Sequence, residues 1–243
     1  MDRVTIVTGG SRGIGAATAV RLAGDGHRVA VGYQRSADAA AAVVAAVEST
    51  GGTAVAVQVD TSAEDDVVRL FATAAAALGP VTGLVNNAGT TSAIGPFADL
   101  DTADLRRVVD VNIVGAFLCA REATRVLPRG GAIVNVSSGA ATLGSPGEYI
   151  HYAASKAALD TLTIGLSKEL GPAGIRVNGV APGIIRTEIH AVSGDPDRAE
   201  RAGPGAPLGR PGEPSEVAEA IAWLLSPAAS YVTGTTLRVA GGR

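Results

Sequence analysis

Hydrophobic positions along the chain fall into two kinds of segment. Seven short runs are rich in β-branched residues and almost continuously apolar, as expected of parallel strands covered on both faces. These runs are Val4–Thr8, Arg28–Tyr33, Thr53–Val59, Gly83–Asn86, Ala132–Ser137, Arg176–Ala181 and Thr236–Val239. Alanine-rich amphipathic segments predict helices near 14–24, 37–50, 63–78, 101–127, 150–170 and 214–225. The repeated order of strand and helix predicts an α/β fold with one doubly wound parallel sheet of about seven strands and helices on both faces.

One domain is expected to span residues 1–243, because no Ser/Gly-rich linker and no internal repeat divides the chain. A long irregular stretch covers residues 184–213 and is rich in Gly and Pro. Loops of this length inside a domain are usually functional, and this one follows the sixth strand at the edge where open α/β sheets bind ligands. We therefore interpret it as a substrate lid, with a flexible surface insertion as the alternative.

Composition narrows the class of protein. Hydrophobic residues make up 47% of the chain and charged residues 18%, which excludes intrinsic disorder. A net charge of −3 without a long basic run excludes the usual footprint of a nucleic-acid binder. The single cysteine, Cys119, excludes an internal disulfide, and no apolar run reaches the ~20 residues of a membrane helix. With no signal-peptide pattern, these features predict a soluble cytoplasmic protein without nucleic-acid or membrane partners.

The segment Thr8–Gly15, which reads Thr-Gly-Gly-Ser-Arg-Gly-Ile-Gly, joins the first predicted strand to the first predicted helix. Glycines at such a junction let the backbone turn tightly and approach a pyrophosphate, while the helix N-terminus presents free N–H groups. The spacing Gly-x3-Gly-x-Gly differs from the common G-x-G-x-x-G, and a plain tight turn is the alternative. The position of the segment favours a dinucleotide site on a Rossmann-type sheet.

The end of the second predicted strand indicates which dinucleotide binds. Rossmann proteins that prefer NAD carry an acidic residue there for the ribose 2′-hydroxyl, but this chain has no carboxylate before Asp38. Arg35 and Ser36 stand at that position instead, and Arg12 lies in the glycine turn. A guanidinium suits a 2′-phosphate, although both arginines are also compatible with ordinary solvated loops. The pattern predicts NADP(H) as the preferred cofactor, with NAD(H) possible.

Tyr152 and Lys156 lie four residues apart on a predicted helix and therefore share one face. Tyrosine titrates near ~10, and a neighbouring ammonium favours the phenolate and lowers that pKa. The pair predicts a general acid and base for carbonyl chemistry, although such a pair alone is more often a surface feature. Tyr149 has no lysine four residues later and is interpreted as a pocket or helix-start residue. His190 is interpreted as a solvated loop residue, and no metal site is expected.

In this order and on these elements, the motifs resemble the short-chain dehydrogenase/reductase family, classical type. The resemblance covers essentially the whole chain and includes 3-oxoacyl-[acyl-carrier-protein] reductase-like and glucose 1-dehydrogenase-like members. The matching positions are Thr8, Gly9, Gly13 and Gly15, the Asn86-Asn87-Ala88-Gly89 run, Asn112, Ser138, Tyr152, Lys156, Pro182, Gly183 and Thr187.

The resemblance implies a catalytic group of Asn112, Ser138, Tyr152 and Lys156. Ser138 would donate a hydrogen bond to the substrate oxygen, and Asn112 would hold a water that passes protons to the lysine. Lys156 would also hold the nicotinamide ribose. Ser137 is the neighbouring alternative, and Ser138 is preferred because the family uses the residue just past the strand. The interval from Ser138 to Tyr152 is 14 residues, one more than in many relatives.

The resemblance also implies a cofactor site along the strand ends. Asp60 and Thr61 would bracket the adenine, Asn87–Gly89 would line the ribose, and Ile185 and Thr187 would hold the carboxamide. The complete set is Gly9, Ser11, Arg12, Gly13, Ile14, Gly15, Tyr33, Arg35, Ser36, Asp60, Thr61, Asn87, Ala88, Gly89, Tyr152, Lys156, Pro182, Gly183, Ile185 and Thr187.

The implied activity is hydride transfer between NADP(H) and a small carbonyl or alcohol, with Tyr152 as general acid and base. A 3-oxoacyl-[acyl-carrier-protein] reductase of fatty-acid synthesis is the alternative, and it needs exposed basic residues near the site mouth to meet an acidic carrier. Arg129 is one candidate. The lid arginines, interpreted as solvated or as carrier contacts, are Arg186, Arg198, Arg201 and Arg210. A catalytically silent NADP(H)-binding regulator is an alternative of another class.

Family members commonly form tetramers, so the resemblance implies self-association as a homotetramer. The helices near 101–127 and 150–170 would form one interface, and the segment 214–243 would form the other. An apolar face that includes Ala153 and Leu159 is compatible with this packing, although burial in the core explains much of it.

Overall fold

Seven parallel strands form one sheet in a computed structural model that describes residues 3–243. The strands are β1 (Arg3–Val7), β2 (His27–Tyr33), β3 (Thr53–Gln58), β4 (Gly83–Asn86), β5 (Ala132–Val136), β6 (Arg176–Pro182) and β7 (Thr236–Val239). They lie in the order β3-β2-β1-β4-β5-β6-β7, and each neighbouring pair is parallel. The predicted doubly wound sheet is confirmed, and each strand end lies within about one residue of the prediction.

Helices cover both faces of the sheet. They are α1 (Gly13–Gly24), α2 (Ala37–Ser49), α3 (Glu64–Leu78), α4 (Thr102–Val109), α5 (Ala116–Val126), α6 (Ala140–Leu143), α7 (Ile150–Leu170), α8 (Ile189–Val192), α9 (Arg198–Ala202) and α10 (Pro214–Leu225). Helices α1, α2 and α10 bury one face around Leu22, Val31 and Ile221. Helices α3 and α5 bury the other face around Ile6 and Leu70. Within residues 3–243, no helix has both the length and the apolar character that a membrane span requires.

The helix predicted over 101–127 is interrupted. A π-helical segment, Asp110–Gly115, joins α4 to α5 and contains the fully buried Asn112. The π-helical segment covers only six residues. A change of helical period over so few residues is too short to be recognised from the spacing of apolar residues in the sequence. Gly115 packs against Thr61 here, where a Cβ would lie 2.8 Å from Thr61 Oγ1. Such π-helical turns occur frequently at functional sites.

The strand order places a ligand crevice at the carboxyl ends of β1 and β4. From β1 the chain adds β2 and β3 on one side and then crosses back to β4 on the other, and ligands bind at such switch points. The stretch 184–213 leaves β6 at this edge and contains α8 and α9. Its ends are tied together, because Gly212 N donates to Ile184 O (2.9 Å) and Arg186 N donates to Gly212 O (3.0 Å). The stretch is therefore a compact loop that contains short helices and whose two ends are hydrogen-bonded to each other.

Candidate active site

The turn after β1 is built from glycines. Gly9 and Gly13 have φ angles of +62° and +52°, in the left-handed region that favours glycine. Gly15 passes so close to Gly9 that a Cβ at Gly15 would overlap the Gly9 carbonyl oxygen. The turn leads into α1, and no side chain within residues 3–243 caps the first turn of that helix at Arg12. Its N–H groups are therefore free to bind an anion.

The segment after β4 braces the glycine turn. The backbone N–H groups of Asn87 and Ala88 both donate to Thr8 Oγ1 at 3.0 Å. The side-chain Nδ2 of Asn87 donates to the carbonyl oxygens of Thr8 (2.9 Å) and Gly9 (3.1 Å). The resemblance assigned this segment to the cofactor ribose, and the structure adds a second role. It fixes the two loops of the strand switch point against each other.

A cleft of about 990 Å³ runs along the carboxyl ends of the strands. Every residue that the sequence assigned to the cofactor lines this cleft, and so do Ser138 and Tyr149. Asn112 lies behind the wall, since a Cβ built on Gly89 would come within 3.5 Å of its Oδ1. The cleft also has lining residues that the sequence motifs did not indicate: Gln34, Ser62, Thr90, Thr91, Arg106, Arg107, Val111, Glu188 and Ser193.

One end of the cleft carries a fixed carboxylate and two exposed arginines. Asp60 accepts hydrogen bonds from the Ser62 hydroxyl (2.6 Å), the Ser62 N–H (3.0 Å) and Gln34 Nε2 (2.9 Å). The Ser62 hydroxyl bond is the first cause of a lowered pKa at Asp60, although burial opposes it. Arg12 and Arg35 are exposed, and neither forms an ion pair with a carboxylate of residues 3–243. Their guanidinium groups are free to meet an anionic ligand.

At the other end, α7 brings Lys156 under the cleft. The residue is 3% exposed, and its Nζ donates to Val136 O at 2.8 Å. Nζ lies 5.8 Å from the centroid of the Tyr152 ring. Burial lowers the pKa of Lys156 to about 8, and the nearby Asp160 carboxylate opposes the shift. The amine therefore titrates near physiological pH.

Tyr152 is half-buried beside Ser138. Burial raises the pKa of Tyr152 to about 12, and a hydrogen bond with Ser138 acts in the opposite direction. The net shift is opposite in direction to the one that the spacing between Tyr152 and Lys156 predicted. The lysine amine bonds to the Val136 carbonyl, and burial of the phenol dominates. Tyr152 is a protonated acid throughout the neutral range.

The structure distinguishes the two adjacent serines. Ser137 is buried, and its hydroxyl donates to the backbone carbonyl of Lys156 at 3.1 Å. The Ser138 hydroxyl accepts from Ala140 N at 3.1 Å and also bonds to Tyr152. Ser137 therefore holds α7 on the sheet, whereas Ser138 lies beside Tyr152 in the lining of the cleft. This geometry favours the choice of Ser138.

Asn112 ties three segments together behind Tyr152. Its Oδ1 accepts from Thr90 N (2.8 Å), and its Nδ2 donates to Thr90 O (2.9 Å) and to Ser155 Oγ (2.9 Å). The Ser155 hydroxyl in turn donates to the carbonyl of Tyr152 at 2.7 Å. The π-helical segment therefore connects the loop after β4 to the face of α7 that carries Tyr152.

The lid side of the cleft differs from the expectation in two ways. His190 is buried, with Nε2 hydrogen-bonded to Ile185 O at 2.8 Å, so the interpretation as a solvated histidine is wrong. Burial lowers its pKa. The lid arginines all form ion pairs: Arg186 with Glu200 and Glu213, Arg198 with Glu148, Arg201 with Asp195, and Arg210 with Glu216. The interpretation of these arginines as merely solvated residues is therefore incomplete.

Arg129 lies at the opposite edge of the sheet. It precedes β5, and its Nη2 donates to Pro172 O (3.2 Å) in the loop before β6. These loops meet at the amino ends of the strands, whereas the cleft follows the carboxyl ends. The expectation that Arg129 serves the mouth of the cleft is therefore wrong within one chain.

Comparison with known proteins identifies the family. A family model described as enoyl-(acyl carrier protein) reductase matches residues 9–243. The chain is 49% identical to the uncharacterized oxidoreductase YgfF of Escherichia coli over 99% of both proteins. It is 40% identical to a 3-oxoacyl-[acyl-carrier-protein] reductase of Synechocystis, over 99% of this chain and 96% of that protein. A short chain dehydrogenase from Burkholderia cenocepacia, solved in complex with NADP, is 38% identical with a TM-score of 0.92, covering 99% of this chain and 97% of the other. The chain belongs to the short-chain dehydrogenase/reductase family of oxidoreductases.

Proposed function

We propose that this protein transfers a hydride between NADP(H) and a small carbonyl or alcohol, with Tyr152 exchanging the proton at the substrate oxygen. One observation carries the proposal. A single cleft holds the glycine turn and Arg35 at one end and Ser138, Tyr152 and Lys156 at the other. Such an arrangement places a proton donor next to a substrate that is bound beside the dinucleotide.

The chain's own residues fit a dinucleotide. The turn is packed so tightly that a Cβ at Gly15 would overlap the Gly9 carbonyl oxygen, and it leads directly into the free N-terminus of α1, which suits a pyrophosphate. Thr187 lies against the same turn, since a Cβ on Gly13 would come within 3.2 Å of its Cγ2. When bound, the nicotinamide supplies or accepts the hydride at the substrate carbon.

Proton transfer at the substrate oxygen falls to Ser138 and Tyr152. The Ser138 hydroxyl donates a hydrogen bond to that oxygen and stabilises its growing negative charge. Tyr152 gives up its hydroxyl proton to the same oxygen as the C=O π bond breaks, and it takes the proton back in the oxidative direction. Because the pKa of Tyr152 is raised to about 12, the acid form required for reduction is present at neutral pH.

The preference for NADP(H) rests on Arg35, with Arg12 and Ser36 beside it. We expect Arg35→Ala to raise KM for NADPH by roughly 10- to 100-fold while KM for NADH changes little, because a charge-assisted bond to the 2′-phosphate is lost. Steady-state kinetics with both cofactors measure the ratio. Arg125→Ala, which removes an exposed arginine from α5 away from the cleft, is the matched control. Equal changes in both KM values would contradict the assignment.

Lys156 gives the reaction a pH dependence. Its amine is charged below about pH 8 and neutral above it. We expect kcat/KM for reduction to be constant at lower pH and to fall as pH rises through about 8, because the positive charge of the ammonium, which stabilises the negative charge that develops on the oxygens beside it during proton transfer, is lost. Lys156→Met should lower the plateau and remove this fall, whereas Lys168→Met on the exposed side of α7 should keep both. The same fall in Lys156→Met would show that another group titrates.

The two alternatives fit the site less well. A carrier-protein reductase calls for free basic residues at the mouth, but the lid arginines are paired and Arg129 lies at the other edge. Arg107, which lines the cleft, bonds to Asp104 and Thr90. Arg106 is the exposed basic residue of the lining that keeps a carrier-protein reductase as the second candidate. A silent regulator does not require Ser138, Tyr152 and Lys156 to meet in one cleft. We therefore propose a small carbonyl or alcohol as the substrate class.

Exposed apolar side chains support self-association. Phe117 on α5 and Ile164 on α7 are both nearly half exposed, as is Trp223 on α10. They lie on the elements that the family resemblance assigned to interfaces, whereas Ala153 and Leu159 are buried within one chain. We propose a homotetramer, and sedimentation velocity of the purified protein measures its mass directly.

A further inference from the structure

An ion pair between a buried guanidinium and a partly exposed carboxylate joins the lid to the start of α7. Arg198, on α9, is 5% exposed, and its Nη2 bonds to Glu148 Oε2 at 2.6 Å. Glu148 precedes α7 by two residues and Tyr152 by four. The other lid arginines that pair with carboxylates have side chains 41% to 64% exposed. Arg198 therefore differs from these three lid arginines, because its side chain is buried.

The pair also contacts the catalytic tyrosine through one aromatic ring. The guanidinium carbon of Arg198 lies 5.3 Å from the Tyr149 ring centroid, within the range of a cation–π contact. The Tyr149 ring meets the Tyr152 ring edge to face, with centroids 5.3 Å apart and an interplanar angle of 82°. Since Tyr149 lines the cleft, Arg198 supports a wall of the reacting end.

Backbone bonds bring a third segment to the same place. Ile94 N donates to Ser193 O in the lid at 3.1 Å, and Gly95 N donates to Glu148 O at 3.0 Å. The loop after β4, the lid and the turn before α7 therefore meet around the Arg198–Glu148 pair. These three segments enclose the side of the cleft that faces Tyr152.

Stability alone does not account for a buried guanidinium here. Removing the Arg198 charge from water is costly, and a single ion pair seldom recovers that cost in full. Within residues 3–243, Arg198 Nε is buried and has no hydrogen-bond partner, so the cost is not fully offset. What the pair does provide is a fixed geometry between the lid and Tyr149.

We propose that Arg198, through its pair with Glu148, is a positioning residue that latches the lid and holds Tyr149 against Tyr152. The latch sets how tightly the carbonyl substrate is enclosed, without touching the reacting atoms. The proposal rests on the proposed function only in taking Tyr152 as the proton donor. Breaking the latch should release the lid and the Glu148–Tyr149 turn together, and should leave the glycine turn undisturbed.

Hydrogen exchange measured by mass spectrometry on the protein alone tests the latch without any turnover. Arg198→Lys and Glu148→Gln should each speed exchange by at least about fivefold in peptides spanning 186–205 and 145–152, while β1, β4 and β5 keep their protection. Arg201→Met is the matched control, because it removes an exposed ion pair from the same lid helix. The reversed pair Glu148→Arg with Arg198→Glu should restore part of the protection.

Kinetics supply the second readout. KM for the carbonyl substrate should rise by about tenfold in Arg198→Lys and Glu148→Gln, with a smaller change in kcat and none in KM for NADPH. Exchange and KM equal to those of Arg201→Met would overturn the proposal, and so would faster exchange throughout the sheet. If the proposed function fails, Tyr152→Phe keeps full turnover whatever the exchange data show, so the two failures are distinguishable.

Discussion

Tyr152→Phe is expected to lower kcat/KM for NADPH-dependent carbonyl reduction by about 10³-fold or more, because positioned general acids contribute ~10²- to 10⁴-fold and this substitution removes only the acidic hydroxyl. The ring contacts with Tyr149 and Lys156 remain. Affinity for NADPH should therefore change less than about twofold, since the glycine turn is untouched. Initial rates and a direct NADPH titration measure the two quantities.

The matched control for this variant is Tyr231→Phe, because that tyrosine is fully exposed to solvent. It should leave both the rate and the affinity unchanged. Turnover of Tyr152→Phe at the rate of the unmodified protein would remove the tyrosine from the mechanism. Loss of NADPH binding together with turnover would show that the hydroxyl serves the cofactor site instead.

Gly15→Ala is expected to weaken NADPH binding by about 100-fold or more, because fit in a glycine turn depends on backbone position to a fraction of an ångström. The new methyl group would overlap the carbonyl oxygen of Gly9 and lie 2.6 Å from Asn87 Nδ2. Relief of that overlap must move the turn or the brace that holds it. Titration of the purified variant with NADPH measures the loss.

Gly24→Ala is the control on the same helix, because a Cβ there meets nothing within 4 Å and the residue has no positive φ. It should bind NADPH normally and keep or slightly increase its stability, since alanine is the better helix former. A circular dichroism spectrum like that of the unmodified protein keeps the Gly15→Ala result interpretable. Unchanged affinity in a folded Gly15→Ala protein would show that the turn does not hold the cofactor.

The sheet could be read from the sequence because a parallel strand covered on both faces must be apolar on both faces. Runs such as Val4–Thr8 and Ala132–Ser137 carry that signal without any tertiary information. The glycine turn is similarly local, since Gly9 and Gly13 are needed for positive φ angles within the turn itself. Features that depend on the chain's own backbone were therefore predictable.

Features that depend on contacts between residues far apart in the sequence could not be predicted. Helix α9 is five residues long and is held by Arg198 against Glu148, fifty positions earlier in the sequence. The burial of His190 and the pairing of the lid arginines follow from the same packing. The raised pKa of Tyr152 arises from its surroundings in the folded chain, whereas the spacing to Lys156 suggested the opposite direction. Helical spacing places two groups on one face but does not determine which atoms they bond.

The most direct measurement is NADPH consumption by the purified protein against a panel of diketones, quinones, sugars and a 3-oxoacyl thioester, with NADH and Tyr152→Phe alongside. We expect at least one carbonyl to be reduced faster with NADPH than with NADH, and we expect that activity to disappear in Tyr152→Phe. Strong turnover of the thioester alone would identify the carrier-protein substrate within the same chemistry. NADPH binding without any Tyr152-dependent turnover across the panel would contradict the proposed reaction.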